Sequence, residues 1–407
     1  EVSGAGLDAS GADYADLIAR AVEVNAGIWA KQVNIVAGTQ TVAHTEEGAP
    51  QAGDRLVGTD AAPQFAVDVA QLGGMYAGKI LLVGTEAGVG VRNAGEMGAG
   101  VGEVIVTADG QIINAGRIHA AGDVALQSGA DIDNRGAIYA GGSARVRAQG
   151  TLENSGSIAA AEHTEAIARY IASGGLMAAG LDTEGKLSGT GDLKLQAERV
   201  RSFGKQLAAG TLGLSGDELD LAGASHFAGG EFYAGARDRL VFDGGSVSAA
   251  RLNIQAGSLS NAGGMLTQWG QVQGQIISAG GINNQDGHIQ GTGQLLVRSQ
   301  AVLNNRRGHI SGQGGPNTLI VLANDLDNTD GRIHTTAGSG GDLAIDLSGT
   351  LTNTRGHISA DRDAAVHVGG DHTHRQSASL IAGRHLSLSA TGTLTNEAEL
   401  IAAGQLA

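Results

Sequence analysis

The chain has 407 residues with 68 Gly, 3 Pro, no Cys and 3% aromatic residues, and its 41 acidic against 26 basic side chains leave a formal charge of −15. Disulfides and Cys-ligated zinc are thereby excluded, and the acidic balance disfavours nucleic acid and anionic membrane as partners. No apolar run approaches the roughly 18 residues of a membrane-spanning helix. So much Gly, without Pro or a strict triplet, points to many tight corners rather than to collagen or disorder.

From Glu1 to Gly38 the text is irregular. Asn25-Ala26-Gly27-Ile28-Trp29-Ala30, followed by Val33, Ile35 and Ala37, reads as a degenerate copy of a motif that becomes regular later. Asp13–Val24 has the composition of a short helix, although its flanks alternate as strands do. Thr39–Pro63 holds two of the prolines with Glu46, Glu47, Gly48 and Asp54, and reads as a surface excursion. Phe65–Val83 returns to alternation, with Val67, Val69 and Leu72.

Val91–Ile158 writes one short motif four times, apolar-x-Asn-x-Gly-x-apolar-x-Ala, then a Gly-rich corner and a few alternating apolar residues. Asn93, Asn114, Asn134 and Asn154 recur at steps of 21, 20 and 20 residues, a period that signals a solenoid. Alternation over so few residues marks short strands with one buried face. A leucine-rich repeat needs more Leu and a helical return, so the expected fold is all-β, a parallel β-helix with coils of about 20–25 residues. Asn suits a corner because it tolerates left-handed backbone and its amide can bond the same amide one coil away.

Between Ala159 and Gly257 strand-like pairs start at Leu193, Leu212, Phe232 and Leu252, so the coils continue without the Asn. Ala160–Ala172 is the stretch expected to bulge out as a helix or longer loop. From Leu259 the motif returns with one added residue, as apolar-x-Asn-x-x-Gly-x-apolar, at Asn261, Asn284, Asn305, Asn328 and Asn353. Asn396 follows 43 residues later, room for two coils, and Pro316 marks a widened corner. About 15 coils after Lys79, at roughly 4.8 Å each, predict a rod of about 70 Å.

Three blocks carry a resemblance: Asn25–Ala30, Asp68–Ile80 and Val83–Gly95. They resemble the end of the haemagglutination-activity domain of two-partner secretion exoproteins and its junction with filamentous-haemagglutinin repeats, and the rest of the chain resembles those repeats, closest in flavour to CdiA-like proteins of contact-dependent growth inhibition. The resemblance implies a right-handed β-helical stalk at the surface of a Gram-negative bacterium, secreted through an outer-membrane transporter partner, with a host or neighbouring-cell receptor or glycan as a further partner. It divides the chain into 1–87, the C-terminal part of the secretion domain; 88–160, regular repeats; 161–258, degenerate repeats; and 259–407, a second run truncated at its end. The family's Asn-Pro-Asn secretion motifs are missing, so the export signal is expected upstream. With neither an initiator Met nor a signal peptide at Glu1, and Ala407 in mid-repeat, the chain reads as a piece of a longer protein.

Two sets of side chains invite a chemical reading. The Asn column is assigned to corner geometry, against the alternative of an outward ladder that touches glycans. The residue after the motif's Gly is Arg117 early and His288, His309, Arg332 and His357 late. Stacked, these would form a stripe able to hold anionic sugars or, at His288 and His309, a transition metal, against the plainer reading of solvated surface positions. Asp371-His372-Thr373-His374 places two histidines at a corner, a weak metal signal without a third ligand. Acidic residues are scattered, and no Gly-x-Ser-x-Gly, His-Glu-x-x-His or phosphate loop is present. The expectation is therefore a stalk with no catalytic residues, cofactor or metal, the alternative being a glycan-binding or glycan-cleaving β-helix.

Overall fold

The structure, a computed structural model, describes residues 1–43, 50–375 and 377–407. Glu46, Glu47 and Gly48 of the expected excursion lie outside the described residues. The chain divides into two compact units, Glu1–Gly210 and Thr211–Ala407. Each is a parallel β-solenoid, and among the described residues there is no helix.

A coil of the first unit consists of three short strands, for example Ile112–Asn114, Arg117–Ala120 and Val124–Ser128. Each strand hydrogen-bonds to its counterparts one coil before and one coil after, in register. Val91, Ile112, Ile132 and Leu152 form one column. Met75, Met97, Ile118, Ile138, Ile158 and Met177 form a second, and Val104, Val124 and Ala144 a third. These residues are at most 1% exposed, so the columns are the core. Strand alternation explains the facing: Ile118 is buried while its neighbour Arg117 is exposed. The motif's Gly is a matter of space. A Cβ on Gly116 would sit 2.0 Å from the carbonyl oxygen of Gly95, and one on Gly136 1.9 Å from that of Gly116.

In the second unit Leu212, Phe232 and Leu252 stack in register. Val247, Leu266, Ile289, Ile310, Ile333 and Ile358 continue as a column over successive coils. The residue added to the late motif occupies a left-handed turn position: Asp286, Arg307, Asp330 and Arg355 have φ between 51° and 56°. Gly223, Gly244 and Gly263 hold that conformation in preceding coils, with φ of 61° to 69°.

Of the two readings of Asp13–Val24, the alternation of its flanks holds, and the bulge expected at Ala160–Ala172 is corrected. Asp13–Val24 is not a helix but the strands Ala15–Ala19 and Val22–Val24, because pairing in register with Val33–Ala37 and Val67–Val69 satisfies their backbone groups within the ladder. Ala160–Ala172 does not bulge. Its strands Thr164–Ile167 and Tyr170–Ser173 pair with Ala144–Arg147 and Thr151–Asn154. The outward excursion of this region comes later, where Leu181 and Leu187 form an antiparallel bridge. Gly180, Gly185 and Gly189 bend the chain there with φ of 72° to 79°, and Leu181 packs on Ala159 and Ala178 outside the main core. Gln40–Ala43 and Gln51–Arg55 form an antiparallel pair on the surface.

Candidate functional site

The Asn column faces inward. In the first unit Asn93 Nδ2 donates to Asn114 Oδ1 at 2.8 Å, Asn114 to Asn134 at 2.7 Å and Asn134 to Asn154 at 2.8 Å. In the second unit Asn261, Asn284, Asn305, Asn328 and Asn353 form a like chain at 2.7 to 2.8 Å. Spare protons close the corners: Asn134 also donates to the Ser157 carbonyl at 3.1 Å. All nine are buried, Asn353 the least at 7%.

The basic stripe is assembled in the second unit by register alone. His288 pairs with His309, His309 with Arg332, and Arg332 with His357, on four successive coils. The imidazole centroids of His288 and His309 are 5.5 Å apart. His334, which the sequence reading passed over, joins them: its ring centroid is 4.7 Å from that of His309, and its Nδ1 is 3.1 Å from His309 Nε2. It lies two residues beyond Arg332, on the same strand face, and that spacing was the signal available. His357 in turn contacts the Ser379 hydroxyl. Arg117 belongs to the first unit, where it pairs in register with Glu96 and Ala137 and has no basic neighbour in its column.

The electrostatics of the stripe follow from burial and like charge. Desolvation holds His309, His334 and His357 below the usual imidazole value, with Arg332 adding repulsion at each, and His334 is pushed down to about 4. Several other arginines of the unit are paired across coils: Arg307 with Asp286, Arg355 with Asp330, and Arg362 with Asp342. Arg332 has no carboxylate partner among the described residues. The stripe thus sets Arg332, unpaired with any carboxylate among the described residues, beside imidazoles that desolvation holds toward their neutral form.

The corner histidines are placed differently. His372 and His374 are 4% and 2% exposed and lie inside the solenoid wall. Among the described residues no three His, Asp or Glu side chains converge as a metal-binding group.

Comparisons with known proteins agree with this architecture. Residues 1–114 match the TPS secretion domain, and residues 99–156, 172–225, 244–330 and 338–406 match the haemagglutinin repeat. The chain is 42% identical to "Toxin CdiA" of Yersinia pestis over 331 residues, 74% of this chain and 10% of that protein. It is 42% identical to "tRNA nuclease CdiA-2" of Burkholderia pseudomallei (strain 1026b) over 275 residues, 65% of this chain and 9% of that one. It is also 43% identical to "tRNA nuclease CdiA" of Escherichia coli (strain STEC_O31) over 112 residues, 28% of this chain and 3% of that one. No solved structure matches. Stacked coils, inward Asn columns and the matched repeats lead to one conclusion: the chain belongs to the haemagglutinin-repeat exoproteins of two-partner secretion.

Proposed function

We propose that this chain is a stalk segment of a large secreted surface protein of a Gram-negative bacterium, which carries distal binding or toxin modules away from the cell. The observation that carries this reading is the run of in-register strand pairs over successive coils within each unit. A backbone ladder of this kind resists bending, and tightly stacked small side chains leave it little freedom to rearrange. The secretion domain at residues 1–114 supports passage through an outer-membrane transporter partner. The nuclease activity for which two relatives are named is assigned to residues outside this segment, because the chain spans about a tenth of their length at most and contains no catalytic motif. The test is small-angle scattering on residues 1–407 together with a reducing-sugar assay. An elongated particle without hydrolytic activity is expected, and a compact particle or release of reducing ends would overturn the reading.

A second reading, an anionic-glycan contact, is favoured by Arg332, which has no carboxylate partner among the described residues and stands in one stripe with His288, His309, His334 and His357. A glycan array separates the two readings. Binding that disappears with Arg332→Ala supports contact, and silence on every glycan leaves the stalk alone.

A further inference from the structure

One wall of the second unit breaks its own pattern. Leu351–Thr352 pairs with the preceding coil through Leu326 and Asp327. Among the described residues His372–His374 pairs with Leu394–Asn396 alone, in a two-stranded sheet of its own. The sequence changes at the same place. Neighbouring coils read Leu326-Asp327-Asn328, Leu351-Thr352-Asn353 and Leu394-Thr395-Asn396, whereas the coil between the last two reads His372-Thr373-His374. Histidines therefore stand where the repeat puts its core Leu and its column Asn.

Both rings are inside the wall, with centroids 6.4 Å apart. Each has a backbone hydrogen-bond partner, Leu351 for His372 and Glu399 for His374. The Nε2 atoms of both are buried without a partner among the described residues. The two side chains line a cavity of about 320 Å³, together with Asn353 and the exposed Thr352, Asp371 and Arg375. A buried nitrogen lone pair without a donor is unfavourable, and two beside one cavity require an explanation. Imidazole oriented by a backbone partner on one nitrogen, with the other left free, is how proteins present His to a metal.

We propose that His372 and His374 form a two-imidazole site for a divalent first-row transition metal ion, which bridges the coil where the ladder is interrupted. Imidazole nitrogen suits Zn²⁺, Ni²⁺ and Cu²⁺, and Cu²⁺ binds tightest in that series. Water and cavity oxygens complete the coordination, since no third His, Asp or Glu converges among the described residues.

The test uses the full chain and a double variant, His372→Leu with His374→Asn, which restores the repeat's own Leu-x-Asn and so favours folding. Equilibrium dialysis against Cu²⁺, and separately against Zn²⁺, is expected to show one equivalent more on the parent chain than on the variant. The metal is expected to raise the unfolding temperature of the parent alone. A third chain, His309→Gln with His334→Gln, controls for the stripe and should keep that equivalent. Equal stoichiometry and equal thermal shifts in parent and double variant would overturn the site, as would no uptake by either. If the double variant fails to fold, copper electron paramagnetic resonance decides on the stripe-variant background. Coupling to two imidazole nitrogens that falls to one in His372→Leu supports the site, and coupling unchanged by that substitution overturns it.

Discussion

Asp286 and Arg307 occupy the same corner of successive coils, both in left-handed backbone with φ of 56° and 52°, and are joined by two hydrogen bonds of 2.7 and 2.8 Å. Asp330 and Arg355 repeat the arrangement two coils on, at 2.6 and 2.7 Å. Side chains at a backbone position that prefers Gly are offset here by ion pairing along the solenoid. Screening should separate the two effects, since at about 1 M salt the Debye length falls to roughly 3 Å. Asp286→Gly is expected to raise the thermal midpoint relative to the parent in 1 M NaCl, because left-handed strain is relieved while the lost pair is already screened. Melting curves at low and high salt check this, and a variant that stays less stable in high salt would show that the pair outweighs the strain.

The Asn column makes position matter. Asn134 accepts from Asn114 and donates to Asn154, whereas Asn93 donates to Asn114 and its Oδ1 has no partner. Asn134→Ala therefore strands two buried groups, at a cost of about 3 kcal/mol, and Asn93→Ala strands one and costs roughly half of that. Amide hydrogen exchange in the Ile112–Asn114 and Thr151–Asn154 strands should accelerate more for Asn134→Ala. Equal acceleration would argue that the side-chain chain contributes little.

Neighbouring residues should respond in opposite ways. Ile118 is 1% exposed and touches the coils on both sides, while Arg117 points to solvent. Ile118→Asp buries a charge without a partner and is expected to cost about 4 kcal/mol or more, against roughly 0.5 kcal/mol or less for Arg117→Asp. Urea unfolding of both variants reads the difference directly.

His226 makes the second unit sensitive to acid. It is 2% exposed, its two ring nitrogens have no partner among the described residues, and its ring lies 5.6 Å from that of Phe232. Desolvation lowers its pKa from 6.5 to about 3. The unfolded chain thus binds a proton between those values that the folded chain excludes, and stability falls as pH drops below about 6.5, by about 1.4 kcal/mol per pH unit. The loss ends near pH 3, where the folded form takes up the proton as well. His226→Leu should remove this slope. The pH dependence of the parent minus that of the variant, measured from pH 7 to pH 4.5, checks it, and parallel curves would mean that the imidazole reaches solvent in the folded state.

The period of the Asn residues, the alternation around them and the Gly-rich corners were enough to determine a parallel β-solenoid built of short strands with one buried face. This works because every coil meets the same neighbours, so a local pattern repeated in sequence becomes a column in space. The late stripe was legible for the same reason, as His288, His309, Arg332 and His357 occupy one motif position. Tertiary structure alone decided the rest. His334 shares a strand face with Arg332, but its ring packing on His309, one coil away, exists only in the folded chain. Asp13–Val24 and Ala160–Ala172 became strands because the ladder beside them supplied partners, which outweighed local composition. The interruption at His372–His374 depends on what the adjacent coils offer across the gap, and hydrogen bonds between distant residues exist only once the chain has folded.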